Sequence, residues 1–240
     1  MAKLDDGEKP RRFYKTAVSE PFNGEFAVLL DGRLAKTPRG AALSAPTAAL
    51  GRLLAQEWDA QGEHIRYASM PAVRLAMTAI DQTPKVREGV AGEVARFAGS
   101  DLVCYLAEAP PALVEREAAA WGPWRAWAET ALGVALRPAT GISPRPQPPE
   151  ALERVKALAL ALDDFALSGL AYGAALFGSA VLSLAVARGA MSAEEAFELS
   201  RLDEAFQEEQ WGVDAEAAAR TERLRLEAEM LGRWFAALAG

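Results

Sequence analysis

Twenty-three consecutive residues, Phe165 to Ala187, carry no charge, and a run of that length leaves the chain two outcomes. Either it crosses a bilayer, whose hydrocarbon core takes about 20 apolar residues of helix, or it is enclosed by a protein core on all sides. The run is rich in Ala, Gly and Ser, lacks a Lys or Arg cluster on one flank, and has no second span to accompany it. Those features point to a buried central helix and against stable membrane insertion. Gly169, Gly173 and Gly178 are expected to let neighbouring helices approach closely. With 240 residues, 51% of them hydrophobic, the chain can supply the enclosing core as one large domain or two modest ones.

Charge is distributed unevenly. Met191 to Gly240 holds twelve acidic and five basic residues, so this last fifth carries the formal charge of −7 that belongs to the whole chain. At its centre, Ser200 to Gly212 reads as the end of an amphipathic helix. Helical projection puts Leu199, Leu202 and Phe206 on one side and Glu204, Glu208 and Trp211 on another. Carboxylates four residues apart repel on a helix, so the pair does not exist for local stability. An acidic face ending in a large aromatic suits a docking surface for a basic partner, although charge on a helix face is more often simply solvated. The sequence pI near 5.0 argues against a nucleic-acid binder, which needs clustered Lys and Arg.

The N-terminal third reads differently from the rest. Arg11 to Ala45 is strand-like, and Asp31-Gly32 supplies the positive φ angles of a tight hairpin turn. Pro46-Thr47 opens a helix through Leu50, Leu53, Leu54 and Trp58, and an extended piece near Ile65 to Tyr67 could return to the sheet. Residues 1 to 10, charged and without an apolar stretch, read as a frayed tail and not a secretory signal. From residue 71 the periodicity is helical: Val73, Ala76, Met77 and Ile80 share one face, and Thr83-Pro84 marks a second helix start. A further tract from Ala112 to Leu132 is expected to break at Gly122-Pro123, and five prolines between 138 and 149 mark an irregular connection. Ser192 with Glu195 forms a capping box for the acidic helix. The last segment, Asp214 to Leu238, offers the pairs Glu216 with Arg220, Arg223 with Glu227, and Glu229 with Arg233. The fold class is therefore a small α+β domain, residues 1–70, followed by a mainly α orthogonal helical bundle, residues 71–240.

Catalytic chemistry has little to stand on. His64 is the only histidine and sits among Glu63 and Arg66, as on a solvated turn. The single cysteine, Cys104, lies in an apolar segment, reads as packing, and suits a reducing compartment such as a cytoplasm. No Cys, His and carboxylate spacing fits a metal, and no glycine-rich turn precedes a Lys-Ser or Lys-Thr pair. Paired carboxylates, Glu204 with Glu208 or Asp163 with Asp164, keep a small carboxylate-dependent hydrolase with a site between the two domains as the alternative reading. Trp121, Trp124 and Trp127, three residues apart, read as packing between helices.

Several ordered clusters together resemble a known family. Arg12-Phe13-Tyr14-Lys15, Leu30-Asp31-Gly32-Arg33 with Lys36-Thr37-Pro38, and Glu57-Trp58 with Gln61 are similar to the N-terminal signature of the ATP synthase F₁ complex assembly factor two family. Ser100-Asp101 before Cys104-Tyr105, Trp121 with Pro123 and Trp127, Thr140-Gly141-Ile142, and Leu199-Ser200-Arg201-Leu202 through Phe206-Gln207 to Trp211-Gly212 continue the match in order. The resemblance covers residues 11 to 212 and implies a bacterial member of a family of chaperones specific for the α subunit of F₁-ATPase. It implies no enzymatic activity and no cofactor. The protein it implies holds unassembled α subunit, prevents its aggregation until it pairs with β, and acts in the bacterial cytoplasm, the eukaryotic members being in the mitochondrial matrix. A monomeric free state is expected. The resemblance also directs attention to an acidic position in the late helix, matched here by Asp203 and Glu204; helix geometry adds Glu208 and Trp211. After Gly212 the family often continues with an acidic-aromatic and histidine-aspartate pattern, whereas this chain has Val213-Asp214-Ala215-Glu216.

Overall fold

The computed structural model describes residues 10–141, 145–212 and 214–240. The tail expected over residues 1 to 10 lies outside them apart from Pro10, as do Ile142 and Val213. Two compact units emerge. One runs to Gln82 and takes in Ala236–Gly240; the other spans Thr83–Phe235.

The first unit is an antiparallel sheet covered by helices. β1 (Ala17–Phe22) pairs with β2 (Glu25–Leu30), and β2 also pairs with the short β3 (Arg33–Leu34) and β4 (Ser44–Ala45). Asp31 and Gly32 turn the β2–β3 hairpin at φ 48° and 78°, as their chemistry requires. Asn23 and Gly24 turn β1 into β2 in the same way, at φ 51° and 84°. Asp31 does more than turn: its carboxylate accepts from the Lys15 and Thr16 backbone N–H groups and the Thr16 hydroxyl, which holds its pKa below the usual range. Helix α1 (Ala48–Asp59) is capped by Thr47 and buries Leu50, Leu53, Leu54 and Trp58, the four positions its periodicity indicates. The stretch near Ile65 does not join the sheet; it pairs with the chain start, His64 against Arg11, and then turns through a 3₁₀ segment at Tyr67–Ser69.

Helix α2 (Pro71–Asp81) belongs with this sheet, so the first unit ends at Gln82 and not at residue 70. The reason is a pair of long-range carboxylates. Glu57 accepts from the Ala72 and Val73 N–H groups, capping the N-terminus of α2 from α1, and Asp81 accepts from Thr37 Oγ1 at 2.8 Å.

The second unit is helical. Helices α3 (Thr83–Gly99, kinked at Val86), α4 (Pro111–Trp127) and α5 (Pro149–Leu160) are joined by a two-stranded parallel ladder of β5 (Tyr105–Leu106) and β6 (Ala139–Thr140). α4 runs through Pro123 without the expected break and ends in a π turn, Ala128–Leu132. Trp121, buried and donating from Nε1 to the Leu199 carbonyl at 3.0 Å, fixes the helix just before the proline. Its partners on the arc, Trp124 and Trp127, are only half-buried and stack edge to face on each other.

The uncharged run is largely buried, but as two helices instead of one. α6 (Asp164–Phe177) ends at Gly178, whose φ of 64° is left-handed, and Ser179 caps α7 (Ala180–Ala187). Gly178 therefore turns the chain and has open space where a side chain would stand, whereas Gly169 and Gly173 permit close packing. A Cβ at Gly169 would lie 2.8 Å from Trp234 Nε1, and one at Gly173 would lie 2.4 Å from Ser183 Oγ. No described helix is long and apolar enough to cross a membrane. Buried Asp101 secures the turn: it accepts from Ser179 Oγ at 2.5 Å, Val181 N at 3.0 Å and Val103 N at 3.3 Å, and burial raises its pKa to about 6. Cys104 beside it is buried, and desolvation pushes its thiol up to about 12, so it packs and does not react.

The acidic tract forms α8 (Ala193–Ser200, capped by Ser192) and α9 (Leu202–Trp211), and the chain closes on α10 (Ala215–Ala239). On α10 the exposed ion pairs centre on Arg225, which meets Glu222 and Glu229, and not on the three pairs the spacing suggested. Asp101→Ala leaves the α7 N-terminus without its acceptor, and a loss of roughly 2–4 kcal/mol is expected in urea unfolding.

Candidate functional site

Sequence periodicity continues through residue 201, but the helix does not. Arg201 adopts φ −112°, ψ 13°, which ends α8 and starts α9 as a separate ten-residue helix. The Arg201 guanidinium holds the corner, donating to Glu204 Oε1 at 2.9 Å and to Thr221 Oγ1 at 3.2 Å. Asp203 and Glu204 then fall in the first turn of α9, where the positive end of the helix dipole favours them.

α4 holds this helix from behind. Arg116 grips Glu209 with two parallel hydrogen bonds of 2.8 and 2.9 Å, and its guanidinium lies 5.2 Å from the centroid of the Phe206 ring. Leu202 is buried, Phe206 half-buried. Trp121, on the same helix as Arg116, anchors the end of α8 through Leu199. None of these partners is near in sequence; Arg116 and Glu209 are 93 positions apart. Arg116, Glu117 and Glu209 therefore escaped the sequence reading, which weighs only neighbours on one helix.

The four sequence candidates divide by environment. Glu204 is exposed and bound to Arg201; Glu208 is half-buried and makes no ion pair among the described residues; Trp211 stands 81% exposed at the end of α9, where Gly212 at φ 81° stops the helix. The indole does not fold back onto the core. Asp203 turns inward: its Oδ1 is buried, and the donor its surroundings offer is a proton on Glu117. Glu117 is itself buried, accepts from Ala107 N at 2.6 Å, and has its pKa raised to about 7 by burial first and the Asp203 carboxyl second. The two carboxyls face each other between α4 and α9. A cleft of about 480 Å³ opens beside Glu204, with Tyr172, Leu176, Arg201, Arg220 and Glu227 in its lining.

Asp163 and Asp164, the other carboxylate pair, do not share a site. Asp163 caps α6 by accepting from Ala166 N, and Asp164 pairs with Arg87. Among the described residues no group of three or more His, Cys, Asp and Glu could hold a metal ion.

The fold, taken with its relatives, places the chain among chaperone proteins. The sequence pattern of the ATP12 chaperone proteins matches residues 11–129. Atp12 of Paracoccus denitrificans is 39% identical, with 94% of this chain and 98% of that one covered and a TM-score of 0.84. An Asp-to-Lys mutant of the same protein gives 38% identity, 95% and 100% coverage and a TM-score of 0.85. The mitochondrial protein atp12 of Schizosaccharomyces pombe is 28% identical over 214 residues, 84% of this chain and 74% of that protein. The chain belongs to the ATP12 family, chaperones of ATP synthase assembly and not enzymes. The hydrolase reading is thereby set aside.

The carboxyl pair gives this site a pH signature. Between the ordinary glutamate value of 4.5 and about 7, the folded state keeps a proton on Glu117 that the unfolded chain has released, so stability falls as pH rises through that window and levels off above it. Glu117→Gln keeps a donor toward Asp203 without the titration. Urea midpoints at pH 5 and pH 8 are expected to show the variant gaining on the wild type by on the order of 1–3 kcal/mol at the higher pH. Asp101 titrates in both proteins and cancels in the comparison; parallel curves would remove the pair from the account.

Proposed function

We propose that this protein chaperones the unassembled α subunit of F₁-ATPase, acting as a monomer in a bacterial cytoplasm and keeping α from aggregating until β replaces it. The observation that carries the reading is the outer face of α9, where Glu208 has no cation partner among the described residues and Trp211 is bare. An exposed tryptophan beside acidic side chains is costly to leave unmatched on a protein that has no partner, and it is the composition of an interface hot spot facing a basic surface. Glu204 contributes after exchanging Arg201 for a cation on α. Asp203 acts as a positioning residue, since its carboxyl faces Glu117 and sets the seat of the helix.

Release needs no nucleotide. A chaperone that covers part of the surface α offers to β leaves when the larger complementary surface competes for it, because displacement follows differential affinity. Steering between an acidic helix and a basic patch speeds capture and makes it sensitive to salt.

The test is co-purification with tagged α subunit. Trp211→Ala is expected to weaken capture by about tenfold or more, and Glu208→Lys to weaken it further at low salt than at high salt. Both sites are outside the core, so circular dichroism and thermal midpoint should not move. Undiminished capture by the double variant, or capture of β in place of α, would reject the proposal.

A further inference from the structure

A second surface differs in sign from the acidic helix. In the sheet-bearing unit a cleft of about 540 Å³ is lined by Lys36 and Arg39 from the loop between β3 and β4, and by Arg74 from α2. All three side chains are exposed, and none forms an ion pair with a carboxylate among the described residues. This is unusual in a chain whose net charge is −7, where carboxylates outnumber cations. Pro38, Tyr67 and Met77 supply an apolar lining between the charges.

One acidic residue also lines the cleft. Asp81 is buried and turned to the loop, accepting from Thr37 Oγ1 at 2.8 Å and from the Arg39 backbone N–H at 3.2 Å. Further bonds close the loop: Thr37 N donates to Ala41 O and Gly40 N to Thr37 O, each at 2.9 Å, with Gly40 at φ 87°. The cations are thus carried on a fixed hairpin excursion and on a regular helix. Their geometry is set before anything binds, which reduces the ordering cost of recognition.

We infer that this cleft binds an acidic, apolar-containing peptide segment of a partner protein, with carboxylates against Lys36, Arg39 and Arg74 and an apolar side chain on Tyr67 and Met77. The open, largely apolar floor between separate cations favours spaced carboxylates over one compact anion. The assignment is independent of the α9 face, which would meet a basic surface, and it gives the chaperone a second contact of opposite polarity.

The probe is a fluorescein-labelled hexapeptide of alternating glutamate and leucine, followed by anisotropy as the full-length protein is titrated in, beside the same peptide with glutamine for glutamate. The Glu-Leu peptide is expected to bind about tenfold tighter than the Gln-Leu peptide, and to lose about tenfold on the double substitution Arg39→Glu, Arg74→Glu. The milder Lys36→Gln, Arg74→Gln variant should fall between, guarding against a fold defect in the first. Binding should survive Glu208→Lys with Trp211→Ala, which separates this cleft from the α9 face. Equal binding of the two peptides, or no loss in the charge variants, overturns the inference. Displacement of the peptide by inorganic phosphate at constant ionic strength, with no such effect from acetate, would reassign the cleft to a phosphate ligand and overturn it as well.

Discussion

Buried Asp101 decides how the most hydrophobic part of this chain folds. By accepting from Ser179 and from the first N–H groups of α7, it makes a sharp turn at Gly178 favourable where an uninterrupted helix of 23 residues would otherwise compete. The Leu102 N–H reaches back to the Gly178 carbonyl at 3.1 Å and closes the same corner. With the run folded in two, α6 packs its glycine face on Trp234 and Leu231 of α10, and Gly173 meets Ser183 of α7. The carboxylate is costly to bury, and its hydrogen bonds offset most of that cost.

From this core the acidic helix is reached in two steps. Trp121 fixes the end of α8, and Arg116, five residues earlier on α4, holds α9 through Glu209 and Phe206. The carboxyl pair of Glu117 and Asp203 fills the space between those contacts. α9 is therefore seated on its inner side and unsatisfied on its outer side. A short helix could not keep a bare tryptophan and an acidic side chain in fixed directions unless its other face were clamped.

What could be read from the sequence depended on how far apart the interacting groups lie. Local signals held: the Asp31-Gly32 turn, the Thr47 cap and apolar face of α1, and the Ser192 N-cap, its hydroxyl accepting from Glu195 N, all appear where the residues put them. Asn23-Gly24 carried the same turn chemistry and could have been used to place β1 against β2. Breaks in otherwise periodic stretches were harder. Arg201 is a good helix former, and it stops α8 because its guanidinium is drawn to Thr221, a contact that no pattern within the tract reveals. Pro123 erred in the other direction, since Trp121 and Glu117 fix α4 by tertiary contacts that outweigh one lost hydrogen bond. The candidate residues themselves were legible because acidic spacing and a terminal tryptophan are visible in one dimension. Their division into an inward Asp203 and an outward Glu208 and Trp211 was not, because it is set by α4.

The central claim is that the outer face of α9 meets the α subunit. A photo-reactive p-benzoylphenylalanine placed at position 211 tests it most directly, with the same group at position 226, an exposed site on α10, as the control. Irradiation in the presence of unassembled α and β is expected to give a covalent adduct of position 211 with α, lost when an excess of assembled partner β is present, and far less adduct from position 226. Equal labelling from both positions, or an adduct of position 211 with β alone, would contradict the account.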